Sequence, residues 1–81
     1  MSTVETEPAT LFVKDVLEEL RRAQASHAPM GTVHEASAVI REEFDEFWEE
    51  VKHKQHDKGA LRCELVQVAA MCLRAVVDLD L

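Results

Sequence analysis

Residues 58–79 have the sequence KGALRCELVQVAAMCLRAVVDL, and this stretch predicts how the chain is packed. At 100° per residue of an α-helix, its apolar side chains spread over well more than half of the circumference. These apolar residues are Leu61, Leu65, Val66, Val68, Ala69, Cys72, Leu73, Ala75, Val76 and Val77. A helix that is apolar on most sides is buried on most sides, and two helices of the same chain cannot cover so wide an arc. We therefore expect copies of the chain to associate and complete the core.

Two further helices precede this one. Apolar residues recur at three- and four-residue spacing between about Pro8 or Ala9 and Ala25, which predicts an amphipathic helix. The segment from Ser26 to Gly31 ends it. Thr32 and Glu35 form a capping-box pattern for a second helix that extends to about Lys54. Its inward-facing residues are predicted to be Val33, Ala36, Ile40, Phe44, Phe47, Trp48 and Val51.

The third helix is predicted to begin after Asp57, a suitable N-cap residue, and to cover roughly Lys58 to Leu79. Residues 1–8 are predicted to form a flexible tail, and residues 9–81 a single helical domain. The fold class is therefore all-α, with three main helices per chain in a bundle that is completed by oligomerisation.

Composition and charge restrict the function classes. The 81 residues include sixteen acidic and nine basic side chains, for a net charge of −7, which disfavours binding to nucleic acid polymers. The N-terminus is polar and acidic, unlike a signal peptide, and no apolar run has the length of a membrane span. We expect a cytoplasmic protein without membrane contact, in which Cys63 and Cys72 are reduced.

Residues 42–50, EEFDEFWEE, contain six acids and no cation. Most such runs are solvated helix faces, and the helical wheel directs Glu42, Asp45 and Glu49 away from the core. Glu43 and Glu50 lie at the flank of the apolar stripe, with Glu46 just beyond them. Glu43 and Glu46 are three residues apart, so both carboxylates project into the same space. On the third helix Glu64 and Gln67 repeat this spacing.

If the second and third helices pack antiparallel, they present four oxygen-bearing side chains to one cavity. Carboxylates at the edge of a core need neutralising, and a hard divalent cation with oxygen ligands does so. From spacing alone, both a metal site and a solvated acidic surface stay open.

The same residues resemble a known family. Glu42-Glu43-Phe44-Asp45-Glu46 has the form EExxE, and Glu64-Leu65-Val66-Gln67 follows after an intervening hinge, as in the MazG-like nucleotide pyrophosphohydrolases with their EExxE and ExxD motifs. The resemblance spans about residues 32–80. The stretch from His34 to Val51, followed by ELVQVAAM, is similar to a small branch of that family found in phages and mobile elements.

This resemblance implies a four-helix-bundle type of fold assembled as a homodimer or homotetramer. It also implies hydrolysis of (deoxy)nucleoside triphosphates to the monophosphate and pyrophosphate, with Mg²⁺ as the cofactor and Mn²⁺ as a possible substitute. In this chain the implied Mg²⁺ ligands are Glu43, Glu46 and Glu64. Glu42 would be the catalytic residue, either by supporting the metal ligands from behind or as a base that orients the attacking water.

Gln67 occupies the position of the Asp in the family's ExxD motif, and it is the fourth expected ligand. Its amide oxygen can bind Mg²⁺ but supplies no charge, so the affinity should fall or the number of metal ions should drop. This departure favours an alternative function, a catalytically weakened or inactive helical oligomer that binds nucleotide or a partner protein. A purely structural module with solvated acids is a third possibility.

Four other residues are candidates for substrate binding, each with an ordinary structural alternative. Trp48 is either a base-stacking residue or a core aromatic. Lys54 is either a phosphate contact or a solvated side chain. Arg74 and Asp78 are either substrate-binding residues or an ion pair at i,i+4 spacing, and Asp78 is also a possible further metal ligand.

Overall fold

Three α-helices form the chain in the computed structural model, which describes the backbone of residues 3–81 and the side chains of residues 6–81. Helix α1 is Thr3–Ser26, α2 is Val33–Val51 and α3 is Lys58–Asp78, and the described residues contain no strand. The predicted all-α class and the three main helices are confirmed. None of these helices is long and apolar enough to cross a membrane.

Helix α1 begins earlier than the sequence predicts. It starts at Thr3, so residues 3–8, predicted as a flexible tail, extend the helix, while residues 1 and 2 lie outside the described part of the chain. Pro8 has no backbone N–H, so α1 lacks one of its hydrogen bonds at this position. The loss is close to the start of the helix, where few backbone hydrogen bonds are made. The Thr10 hydroxyl donates to the Thr6 carbonyl oxygen at 3.0 Å and so bridges the turn that contains the proline.

The starts of α2 and α3 agree with the predicted caps. The Thr32 hydroxyl oxygen accepts the Glu35 backbone N–H at 3.0 Å, and an Asp57 carboxylate oxygen accepts that of Ala60 at 3.1 Å. These bonds satisfy N–H groups that a helix leaves without partners at its first turn. Helix α2 ends at Val51, slightly before the predicted end at Lys54.

Helix α3 lies between the other two. It packs against both α1 and α2, whereas α1 and α2 do not pack against each other within the described residues. The short connection between α2 and α3 makes them an antiparallel hairpin. The buried core residues follow from this arrangement: Val16, Leu20, Ala23, Met30, Ala36, Val66, Ala70, Met71 and Ala75.

Several side chains that were predicted to face inward are exposed. Val33, Phe44 and Trp48 of α2 are 58%, 53% and 49% exposed, so the prediction that they face the core of this chain is wrong. The reason is geometric: α2 has α3 as its one neighbour, and a single helix cannot cover an apolar stripe this wide. Phe47 contacts the Phe44 ring at a centroid distance of 6.4 Å, and it is only partly buried.

The connection between α1 and α2 is held to the end of α3 by a buried ion pair. Arg74 Nε lies 3.3 Å from Asp78 Oδ2, and each side chain is 8% exposed. Arg74 Nη2 donates to the Ala28 carbonyl oxygen at 2.7 Å, and Asp78 Oδ2 accepts the Met30 backbone N–H at 2.9 Å. The ion pair predicted from the i,i+4 spacing is therefore confirmed, and it fixes the position of this connection.

Candidate metal centre

Three carboxylates from two helices converge at the α2–α3 hairpin. Glu43 and Glu46 project from α2 and Glu64 projects from α3, and each offers an oxygen within 4.8 Å of the oxygens of the other two. The i,i+3 spacing of the first two places them on one side of α2. The antiparallel packing then brings Glu64 opposite them, as the sequence predicted.

Two of these carboxylates contain oxygens that are shielded from solvent and lack a partner. Glu43 Oε2 and Glu64 Oε2 are buried and accept no hydrogen bond. Among the described residues, none of the three glutamates forms a salt bridge with a cation. A buried, unsatisfied carboxylate oxygen is costly, so this cluster needs either protons or a cation.

The pKa values respond to this arrangement. Burial raises the pKa of Glu43 from 4.5 to about 7, and the neighbouring charges of Glu46, Glu64 and Glu42 add to the effect. Burial also raises the pKa of Glu64, assisted by the charges of Glu46 and Glu50. Desolvation and like charge both disfavour the ionised form, so Glu43, with its pKa of about 7, is partly protonated at neutral pH when no cation is bound.

The oxygen separations are suitable for Mg²⁺. At metal–oxygen distances of about 2.1 Å, oxygens in an octahedron are about 3.0 Å apart when adjacent and about 4.2 Å apart when opposite. Three carboxylate oxygens within 4.8 Å of one another can reach these separations through small side-chain rotations. The donors are all oxygens and the residues are acidic, which is the ligand type that Mg²⁺ and Mn²⁺ prefer.

A cleft of about 540 Å³ opens beside the carboxylates, in the space where α1 and α2 diverge. Glu43 and Gln67 both line it, and so does Glu42, which is exposed. Glu46 and Glu64 do not line it, so the cleft brings together only two of the four expected metal ligands with the expected base. Its other lining residues are Glu19, Arg22, Ala23, Ser26, His27, Ala28, Glu35, Val39, Met71 and Arg74.

The predicted substrate-binding residues are not all brought to this cleft. Arg74 lines it, but its guanidinium is already engaged by Asp78 and Ala28. Asp78 lines a smaller neighbouring cavity. Lys54 is exposed in the connection between α2 and α3, and Trp48 lies on the outer surface of α2; neither lines the cleft in the described part of the chain.

Two contributions to the site were not assigned from the sequence. Glu50 adds negative charge next to Glu64, and its Oε2 lies 3.4 Å from His53 Nδ1. The helical wheel placed Glu50 at the flank of the apolar stripe, but it belongs to neither motif and was given no role. Helix α1 supplies one wall of the cleft, including Arg22, which pairs with Glu19. No local pattern indicates that wall, because it depends on how α1 crosses α3.

No family matches this chain. Comparisons with protein-family models, with curated proteins and with solved structures found no match. The MazG-like resemblance therefore stays a hypothesis that rests on the residues quoted above.

The stability of the protein should depend on pH and Mg²⁺ through Glu43. Between pH 4.5 and about 7, the folded protein without metal retains a proton that the unfolded chain has released. Its stability therefore falls as the pH rises through this window. Mg²⁺ competes with the same proton, so the increase in melting temperature caused by Mg²⁺ should grow over the same window. Thermal unfolding at several pH values, with and without Mg²⁺, measures both effects.

Glu43→Gln tests the assignment of this pH dependence. The amide removes the titrating group and the like-charge repulsion, so the melting temperature without metal should rise by a few degrees at neutral pH. The Mg²⁺-induced increase should disappear. Asp45→Asn is the matched control, since Asp45 is exposed on the same helix and lies outside the carboxylate cluster. A Glu43→Gln protein that kept the full response to Mg²⁺ would exclude Glu43 as a ligand.

Proposed function

We propose that the protein is a Mg²⁺-dependent nucleotide pyrophosphohydrolase that converts (deoxy)nucleoside triphosphates to the monophosphate and pyrophosphate, acting as a homodimer or homotetramer in the cytoplasm. The observation that carries the proposal is the convergence of Glu43, Glu46 and Glu64, two of them with buried, unpartnered oxygens. The cleft beside them supports it, because its volume lies within the range of about 300–1,000 Å³ that small-molecule sites occupy.

Glu43, Glu46 and Glu64 would hold the Mg²⁺, and Gln67, which lines the cleft together with Glu43, would add a neutral oxygen. A bound Mg²⁺ supplies the positive charge that screens the triphosphate and polarises a phosphoryl oxygen. An acidic protein can then bind an acidic substrate.

Glu42 would act as the base. It lies next to Glu43, on the side of α2 that lines the cleft. In the proposed reaction its carboxylate takes a proton from the water whose oxygen attacks the α-phosphorus. The bond between the α-phosphorus and the bridging oxygen breaks, and pyrophosphate leaves with that oxygen. Val39 and Met71 give the cleft an apolar surface for the nucleoside.

The experiment that tests this function is incubation of the purified protein with a panel of NTPs and dNTPs in the presence of Mg²⁺, followed by chromatography of the products. Monophosphate and pyrophosphate formed in equal amounts would support the proposal, and comparison across the panel gives the base and sugar preference. Formation of the diphosphate and inorganic phosphate would place the cleavage at the wrong bond. Absence of turnover with every substrate would exclude the enzyme.

A second candidate function is favoured by Gln67. A MazG-like helical oligomer with a neutral residue at this position would bind nucleotide or a partner protein without turnover. In that case the melting temperature should still rise with Mg²⁺ and nucleotide, because ligands that bind the folded state stabilise it. A structural module with solvated acids, by contrast, should show no response to Mg²⁺ or Mn²⁺.

Gln67→Asp distinguishes between the first two functions. It adds a negative charge where Gln67 borders the cleft with Glu43, so we expect Mg²⁺ to bind roughly tenfold more tightly. If the amide limits catalysis, turnover should rise as well. Calorimetric Mg²⁺ titration and the product assay measure the two effects. Gln67→Glu, which preserves the side-chain length, is the control for geometry. Unchanged Mg²⁺ affinity in both variants would exclude Gln67 from the metal site.

A further inference from the structure

One side of α3 is apolar, and within the described residues the chain leaves most of it uncovered. Leu65 and Val76 are 42% and 47% exposed, and Cys72 is also exposed. Ala69, which is partly buried against the core, completes a row with four-, three- and four-residue intervals along the helix. Gln67 and Arg74, which line the cleft, are on the opposite side of the helix. We call the row of Leu65, Ala69, Cys72 and Val76 the rear stripe.

Helix α2 extends this apolar surface. Phe44 and Trp48 are about half exposed, and they lie on the side of α2 that faces away from Val39 and Glu42 in the cleft. They therefore border the same side of the molecule as the rear stripe. Aromatic side chains bury about 150–250 Å² each when fully covered, so these two leave roughly 200 Å² in water.

The size of the surface matches the centre of a protein interface. With the rear stripe included, its apolar area is on the order of 400 Å², about half of the ~800 Å² that each partner contributes to an interface of standard size. In most interfaces the remaining area comes from a polar rim that surrounds the apolar centre.

Charge indicates which partner this surface accepts. The chain carries a net charge of −7, so two copies repel each other over most of their surfaces. On the rear side of α3, every residue between Arg62 and Asp80 is apolar. Two copies can therefore approach through this side without placing acid against acid, and a twofold axis places the same patch on both partners.

The direction of pairing follows from the acidic cluster. Glu64 lies beside Leu65 at one end of the stripe, together with Glu43 and Glu46. Parallel pairing would place two such clusters at the same end, whereas antiparallel pairing separates them. The four-, three- and four-residue intervals of the rear stripe read the same in both directions along the helix. Each residue of the stripe can therefore face a stripe residue of an antiparallel partner. The small side chains of Ala69 and Cys72 at its centre permit close approach of the helices.

We propose that two copies of the chain pair through the rear stripe, with α3 antiparallel to the partner's α3, so that Leu65 lies opposite the partner's Val76 and Ala69 lies opposite the partner's Cys72. This pairing assigns the surface of the homo-oligomer in the proposed function and does not depend on the chemistry of the cleft. Phe44 and Trp48 are covered at the edge of the same interface.

A disulfide test addresses the register. In a Cys63→Ser background, Ala69→Cys places a thiol opposite the partner's Cys72, so oxidation with diamide should convert most of the protein to a covalent dimer on a non-reducing gel. The matched control is Cys72→Ser, which retains exposed Cys63 on the other side of the same helix and should give no covalent dimer. A dimer in solution that resists this crosslink would overturn the proposed register.

Sedimentation velocity over a concentration series tests whether the rear stripe forms the dimer interface. Leu65→Glu should weaken the dimer by roughly 100-fold or more, because it buries a charge against the partner's Val76. Leu65→Glu combined with Val76→Lys should restore association, since opposite charges then meet across antiparallel helices. Leu11→Glu, at a residue of similar exposure (52%) near Pro8 and Arg62, should leave the dimer unchanged. A monomeric wild-type protein, or a dimer unaffected by Leu65→Glu, would overturn the proposal.

The proposed dimer interface and the proposed metal centre can be tested independently of each other. The Leu65→Glu protein should keep a circular dichroism spectrum typical of α-helix, because Leu65 is exposed in the single chain. Its melting temperature should still rise with Mg²⁺ if Glu43, Glu46 and Glu64 form a site. Loss of the dimer with a retained Mg²⁺ response supports the interface and leaves the metal centre intact. A dimer that shows no Mg²⁺ response excludes the metal centre alone.

Discussion

In the proposed enzyme, replacement of Glu46 by alanine should lower the rate of pyrophosphate release by roughly 10²–10³-fold, because it removes a ligand of the Mg²⁺ that would stabilise transition-state charge. Glu46 is the exposed member of the three carboxylates, and its charge raises the pKa values of both Glu43 and Glu64. Without it, two carboxylates remain, and Mg²⁺ affinity falls with the number of charged ligands. The Mg²⁺-induced rise in melting temperature should be lost as well.

Asp45→Ala is the control for this substitution. Asp45 is the neighbouring residue, is exposed on the same helix, and contributes no oxygen to the cluster. It should keep full turnover and the full Mg²⁺ response. Equal losses in the Asp45→Ala and Glu46→Ala proteins would indicate a general effect of acidic charge, and the metal centre would then be wrongly assigned.

The second large effect concerns stability. Arg74→Ala should reduce the free energy of unfolding by about 3–5 kcal/mol, because removal of one member of a buried ion pair leaves the other charge uncompensated. Asp78 would lose its partner at 8% exposure, and the Ala28 carbonyl oxygen would lose its donor. Urea denaturation followed by circular dichroism measures the loss.

Arg62→Ala is the matched control for this prediction. Arg62 also joins two helices through an ion pair, with Asp15 at 2.7 Å, but the two side chains are 46% and 41% exposed. Exposed pairs contribute about 0–1 kcal/mol, and the Phe12 ring beneath Arg62, at 5.6 Å, adds a similar amount at most. If the two substitutions destabilise the protein equally, burial is not what makes the Arg74 pair important.

Local signals in the sequence predict the helices well. The capping residues Thr32 and Asp57 and the apolar periodicity locate α2 and α3 to within a few residues. The start of α1 was predicted too late, because the apolar periodicity is clear only from about Pro8 or Ala9 onward, whereas the helix begins at Thr3. Local signals do not show which apolar residues are covered by other helices, because this depends on the tertiary packing. For this reason Phe44 and Trp48 were wrongly predicted to be buried.

The convergence of the three carboxylates could be predicted because it depends on the spacing within α2 and on the short connection to α3, which are both local features of the sequence. Glu43 and Glu46 are one turn apart, and a short hinge forces the helix that carries Glu64 to return beside them. The cleft wall formed by α1 depends instead on long-range packing, which no spacing in the sequence encodes. For the same reason, the sequence could not show that Lys54 and Trp48 lie away from the cleft.

The separation of α1 from α2 has a consequence for how the protein can change over evolutionary time. The hairpin of α2 and α3 carries all three carboxylates, whereas α1 contributes to the cleft but offers no ligand. Substitutions at Arg22 or Ser26 can reshape this wall of the cleft without moving the three carboxylates. The α1 side of the cleft can therefore change over evolutionary time while the carboxylate cluster of the hairpin is held fixed.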